Sequence, residues 1–187
     1  MSSKHYSTLI ELFHRCFYQD YRTVLVAGDD EPWYRPAANA TEDHQIIFAH
    51  GFFASALHEI AHWCIAGARR RQLEDYGYWY EPDGRDASQQ AQFEKVERKP
   101  QALEWLFSRC AGVPFQVSVD NLGGCEVDRE AFTQAVHDQL CDYLVSGLPA
   151  RAERFARLLA EHYGQPWPQL AELRAERNHI HELQGVA

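Results

Sequence analysis

The residues best suited to chemistry are His58 and His62, with Glu59 between them, in the run Ala56-Leu57-His58-Glu59-Ile60-Ala61-His62-Trp63. On an α-helix, positions four apart share a face, one turn above the other. Two imidazoles so placed converge on one cation, at about 2.0–2.1 Å each if it is zinc. Glu59 is poorly placed to ligate with them; in zinc peptidases a glutamate at this position polarises the metal-bound water. Ser55-Ala56-Leu57 before the motif and Trp63-Cys64-Ile65-Ala66 after it make the surroundings apolar. Burying a polar group there without a partner costs about 2–7 kcal/mol. A metal satisfies all three side chains at once. The bland alternative is a pair of core histidines bonded to backbone carbonyls.

Two histidines leave a ligand set incomplete. The candidates for a third are Glu94, Glu97 and Glu104 downstream, then Asp83, Asp86 and His137. Glu97 and Glu104 fall nominally on one helix face, but spacing alone does not choose among these residues. Nor does it choose the chemistry. With zinc and water such a site hydrolyses amides, whereas with ferrous iron and open positions it activates dioxygen. A non-catalytic module holding a structural metal is a third class, and it has no use for a glutamate placed beside the ligands.

Several elements must position these groups. Leu9, Ile10, Leu12, Phe13, Cys16 and Phe17 recur at helical spacing and predict a first helix over about residues 3–18. Thr23–Ala27 reads as a short strand stopped by Gly28-Asp29-Asp30-Glu31-Pro32, and Gln45–Ala49 as a second strand. The apolar run from Phe53 to Ala66 is too long for a strand and predicts a buried helix ending near Gly67. Gly77–Glu81 is a third strand candidate, followed by a turn at Pro82-Asp83-Gly84-Arg85. Residues 87–111 look helical, with Pro100 kinking or splitting the helix. Phe115–Val119 is a last strand candidate. Asp128 is expected to cap a helix running to about Ser146, with further helices near 151–163 and 168–182. The sum is an α+β fold, mainly helical with a small sheet, in a single domain over residues 1–187.

The bulk composition narrows the function. The chain has 187 residues, 45% of them apolar and 24% charged, which is enough for one sizeable core and unlike a disordered composition. A formal net charge of −9 argues against direct nucleic-acid binding, which usually needs a basic face. Five widely spaced cysteines without a C-x-x-C pair argue against a disulfide framework or a cysteine-only zinc site, and for free thiols in a reducing compartment. The N-terminus lacks an apolar signal core and no run reaches membrane-span length, so a soluble cytoplasmic protein is expected.

Three long blocks carry a resemblance. They are Phe48-Ala49-His50-Gly51-Phe52 running into Ala56–Gly67, then Gly77–Asp86, then Phe93 through Glu97 to Lys99-Pro100-Gln101-Ala102-Leu103. Asp120-Asn121-Leu122 and the region of Val136-His137 fit as well. In this order they resemble the elongation factor P hydroxylase family. The resemblance implies a hydroxylase of one lysine side chain of elongation factor P, a lysine that normally already carries a β-lysyl group. It further implies a metal held by two histidines and one carboxylate, which fall on His58, His62 and Glu97, with Glu59 as the intervening, catalytic glutamate. A zincin-like helix carrying the motif is the fold feature expected.

Attacking an unactivated C–H bond requires a redox metal and dioxygen. Ferrous iron, Fe(2+), suits this donor set, with zinc, nickel or cobalt as alternatives in purified protein. The expected activity is thus a non-haem iron hydroxylase of monooxygenase or dioxygenase type; the competing reading is a zinc-dependent metallohydrolase or peptidase. No feature marks a 2-oxoglutarate site, although Arg85 or Arg98 offers a partner for a carboxylate. Tyr78 and Tyr80, with neighbouring aromatics, suit the long stem and ammonium of a modified lysine. Asp86 is a candidate for its amines. Arg69, Arg70 and Arg71 form the densest basic patch and are a candidate docking surface for the protein substrate; placement at a helix C-terminus is their simpler explanation.

Overall fold

Alternating buried and exposed residues set the first helix, α1 (Tyr6–Tyr21), whose Leu9, Leu12, Phe13, Cys16 and Phe17 form a buried stripe. The computed structural model describes residues 5–77, 83–119, 121 and 123–176. α1 ends at Arg22, which takes the left-handed φ of 45° and returns its N–H to the Tyr18 carbonyl at 2.8 Å. Three short strands follow: β1 (Thr23–Ala27), β2 (Trp33–Arg35) and β3 (His44–Phe48). β3 lies in the middle, parallel to β1 and antiparallel to β2, with Leu25 opposite Ile46 and Tyr34 opposite Ile46 from the other side. β2 was not expected from the sequence. It is three residues long and flanked by Pro32 and Pro36, so local composition reads as loop, and its pairing with β3 is what makes it a strand.

Phe48 leads through a single 3-10 turn, in which His50 (φ 53°) and Gly51 (φ 63°) both reverse the backbone, into α2 (Phe53–Ile65). Ala56, Leu57, Ile60, Ala61, Trp63 and Cys64 of α2 are buried. The carbonyls at its C-terminal end are satisfied by arginine. Arg151 donates to the carbonyls of Trp63 and Cys64 at 3.0 Å each and also to Ala66, and Arg71 donates to Ala66 at 2.6 Å. Cationic groups at this end also complement the helix dipole.

α3 (Ala87–Ala111) is one continuous helix with Pro100 inside it, so the expected split does not occur. Proline removes the bond that its N–H would make to Val96. The second half is nonetheless held by burial of Ala102, Leu103, Leu106, Phe107 and Cys110 against α2 and the later helices α4 (Arg129–Ser146) and α5 (Ala150–Tyr163). Asp128 caps α4 through the Ala131 N–H at 2.9 Å, as the sequence indicated. Residues 170–176 are helical, within the last expected helix.

Two strand expectations fare differently. Most of Gly77–Glu81 lies outside the described residues. Among the described residues Phe115–Val119 pairs with no strand. Its backbone is bonded by side chains instead. The Gln101 amide donates to the Ser118 carbonyl (2.8 Å) and accepts from its N–H (3.0 Å), Arg85 donates to Val119 (2.7 Å) and Arg129 to Val117 (2.8 Å). Among the described residues this segment of strand propensity has no neighbouring strand, and side chains satisfy its backbone.

The core is one cluster centred on Trp63, whose ring lies 5.2 Å from Phe13, 4.8 Å from Phe17 and 5.1 Å from Tyr21. Phe155 of α5 joins Phe13, Phe17 and Phe107. This packing fixes α2 between α1, the sheet and α3, and so fixes the position of the His58 and His62 face. Among the described residues no helix is long and apolar enough to cross a membrane.

Candidate metal centre

The face of α2 opposite Trp63 turns His58 and His62 toward α3. Their Nε2 atoms are 3.1 Å apart. Glu97 of α3 meets them with both oxygens, Oε2 lying 3.5 Å from His58 Nε2 and Oε1 3.3 Å from His62 Nε2. Glu97 is 1% exposed, and neither oxygen has a hydrogen-bond partner among the described residues. A buried carboxylate left this way is costly unless a cation sits against it. Three donors bonded to one divalent ion at about 2.0–2.2 Å stand about 3.0–3.4 Å from each other. The separations here fit that requirement, and the donor types suit a transition metal. One ligand atom from each of His58, His62 and Glu97 falls within 4.8 Å of the others.

Glu104, a candidate third ligand by sequence, has a different position. It lies two turns beyond Glu97 on the unbroken α3, and its Oε2 is 2.8 Å from Nδ1 of His58. An Nδ1–H donated to this carboxylate leaves the lone pair on Nε2, the atom that faces Glu97. Such outer carboxylates fix tautomer and ring orientation in metal sites.

The electrostatics follow from burial and proximity. For Glu97, burial favours the neutral acid, but the charge of His62, with that of His58, prevails and brings its pKa down to about 2. For His58, burial opposes the cation, yet the Glu104 bond and charge, then Glu97 and Glu59, raise its pKa to about 10. Without a metal the site is therefore a buried carboxylate facing an imidazolium. Loss of solvent raises the Glu59 carboxyl, against the opposing pull of His58 and His62.

The remaining candidates are placed as follows. Tyr78 and Tyr80 lie outside the described residues. Asp86 forms a capping box at the start of α3, accepting from the Gln89 N–H at 2.9 Å while Gln89 Oε1 accepts from its own N–H. Arg71 is held at the end of α2 and packs over Tyr21 and Trp63, Arg70 donates to the Tyr76 carbonyl at 2.9 Å, and Arg69 is exposed. Arg85, considered as a carboxylate clamp, is buried over the Phe93 ring and bonded to Gln90 and Val119. Asp83 accepts from Gly84 and Gly123 N–H groups, and His137 meets the Leu173 carbonyl at 3.1 Å.

A mainly helical fold with a buried His–His–Glu constellation between two packed helices defines a protein with a candidate divalent-cation centre. Two comparisons make this specific. The family model for elongation factor P hydroxylase matches residues 12–173. The chain is also 52% identical, over 155 residues, to the elongation factor P lysine hydroxylase of Haemophilus influenzae, a match spanning 83% of this chain and 87% of that one. The chain belongs to the elongation factor P hydroxylase family.

Proposed function

We propose that this protein hydroxylates a lysine side chain of elongation factor P, one already bearing a β-lysyl group, using dioxygen and ferrous iron held by His58, His62 and Glu97. The observation that carries the reading is the buried, unpartnered Glu97 carboxylate set against two imidazole nitrogens, in a chain half identical to a protein named for this reaction. Bound iron would supply the redox capacity toward dioxygen that no side chain has.

The chain's own residues do the rest. Glu97 contributes the negative charge that retains a divalent ion. Glu104 orients His58. Glu59, its carboxyl raised by burial, holds or moves a proton next to the reacting groups. The aromatic rings of Tyr78 and Tyr80 are chemically suited to the lysine stem and its ammonium, and the basic segment at Arg69 receives an acidic face of the substrate; Asp86 bonds the substrate amines only if it leaves its cap. The working compartment is the cytoplasm, where the translation factor is found.

The test is the intact mass of elongation factor P co-expressed with this protein. A gain of one oxygen atom on the modified lysine, absent with His58→Ala and with Glu97→Ala, is the expected result. No gain under aerobic conditions with iron supplied would return zinc-dependent hydrolysis on the same motif to first place.

A further inference from the structure

Glu97 is not the only buried polar group at the site that the fold leaves without a partner. Tyr76 is 4% exposed, and among the described residues its hydroxyl makes no hydrogen bond. A tyrosine hydroxyl taken out of water usually finds a partner, because an unbonded one forfeits the hydrogen bonds it had in solvent. The ring is nevertheless firmly placed. Tyr34 of β2 stacks on it at 4.4 Å and 18°, and the His62 ring lies parallel to it within 7°, the centroids 6.4 Å apart. Tyr76 thus flanks His62 from the side of β2, while Glu97 reaches the same imidazole from α3. The site opens beside it, since the His58 side chain is 23% exposed and that of His62 12%.

The backbone is strained to put the ring there. Asp75 (φ 44°) and Tyr76 (φ 58°) are consecutive non-glycine residues in the left-handed region, which a residue with a bulky side chain rarely adopts. The turn is held by Asp75 Oδ1, which accepts the Tyr34 N–H at 2.7 Å, and by Arg70, which donates to the Tyr76 carbonyl at 2.9 Å. A strained backbone and an unbonded hydroxyl therefore meet in one residue. Phenylalanine would stack the same ring without the second cost. Unfavourable features of this kind gather where geometry serves a ligand.

The hydroxyl is a donor. Burial, and after it the charge of Glu59, holds the Tyr76 phenol well above its ordinary range, so it keeps its proton. Glu59 is close enough for its charge to be felt, yet no hydrogen bond joins the two. Glu59 and His62 are three apart on α2 and share its face, which places the hydroxyl on the ligand side of the helix. The missing partner is an acceptor. An unmodified lysine has none, because its ammonium only donates. A lysine amine that carries an acyl group is joined to it through an amide. In a β-lysylated side chain the amines are cationic donors, and the amide carbonyl oxygen is the one good acceptor.

We propose that the Tyr76 hydroxyl donates a hydrogen bond to the amide carbonyl that joins the β-lysyl group to its lysine, and so selects the modified factor over the unmodified one; this rests on the substrate proposed above. The contact needs no change in the metal ligands. It acts on the affinity of the substrate, since a site with a buried group reserved for one bond disfavours a ligand that cannot make it.

The experiment is calorimetric titration of the zinc-loaded full chain with elongation factor P in its β-lysylated and unmodified forms. Zinc is redox-silent, so binding is read without turnover. Wild type should bind the modified form more tightly. Tyr76→Phe should lose about 3–10-fold toward the modified form, the worth of one neutral hydrogen bond, and nothing toward the unmodified form. Its zinc content should be unchanged and its melting temperature equal to or above that of wild type, because the stacked ring stays and an unbonded hydroxyl goes. An equal loss toward both forms, or no loss toward the modified form, overturns the contact. So does a Tyr76→Phe chain that melts well below wild type, since the hydroxyl is then bonded within the fold. The two forms of the factor also perturb the ligand alone, and equal affinity of wild type for both overturns the selection whatever the variant does. The mass of the factor after incubation with the iron-loaded chain keeps the conclusions apart. Hydroxylation without a Tyr76 effect on binding overturns the contact and leaves the function standing. Affinity that depends on Tyr76 without hydroxylation supports the contact and removes the reaction. Neither binding nor hydroxylation ends both.

Discussion

Removing Glu104 should weaken cation binding in a manner that depends on pH. Its carboxylate sits 2.8 Å from His58 Nδ1 and is itself largely buried. Outer carboxylates on ligating histidines contribute about 10–100-fold in metal affinity, or about 1.4–2.7 kcal/mol. The same carboxylate strengthens His58 toward a proton. Burial works against the imidazolium, but Glu104 leads the groups that raise its pKa to about 10. In wild type an incoming cation must displace that proton at neutral pH, so part of the advantage is cancelled there. The deficit of Glu104→Ala should be smallest near pH 6 and reach the full ~10–100-fold only as the pH passes about 10. Glu104→Gln keeps an acceptor without the charge and should fall between. Competition with a chromophoric chelator across this range measures the effect, with iron(II) under anaerobic conditions and zinc as a redox-silent check. Equal affinities of folded wild type and Glu104→Ala at the alkaline end would refute the role of Glu104. A deficit that does not vary with pH would refute the proton competition.

The metal-free protein should show a related pH profile. His58 is raised from its ordinary 6.5 to about 10, so its contribution to stability is complete below 6.5 and is lost as the pH rises through 10. Glu97 is lowered from 4.5 to about 2, so its contribution is complete above 4.5 and is lost as the pH falls toward 2. Thermal melting of the metal-free chain should therefore have this site's stabilisation on a plateau from 4.5 to 6.5; subsaturating zinc should flatten or reverse the decline above it, and an identical decline with and without metal would count against a cation at this site. Gln101→Ala removes the amide that bonds both the Ser118 N–H and its carbonyl and should cost about 1–3 kcal/mol in denaturant unfolding. Arg151→Met uncovers carbonyls at the end of α2 and should cost a similar ~1–3 kcal/mol; a cost near zero would mean that water replaces the guanidinium without loss.

His58, Glu59 and His62 were legible in the sequence because their relation is local. Helical spacing alone puts two imidazoles on one face, and the apolar neighbours show that the helix is buried. The start of α4 was legible for the same reason, since Asp128 bonds a backbone N–H three residues away. Glu97 needed the resemblance to be chosen over Glu94 and Glu104. Local reasoning could not choose, because the carboxylate that meets the imidazoles is decided by how α3 packs on α2 and by Pro100 not splitting α3. The same packing makes Glu104 the partner of His58 rather than a third ligand. Tertiary structure alone also made β2 a strand, satisfied the backbone of Phe115–Val119 through side chains among the described residues, and turned Asp86, Arg71 and Arg85 to structural bonds. Sequence spacing fixes relations along one helix or turn, where backbone geometry is regular. Contacts between elements depend on the burial of whole faces, which no single segment encodes.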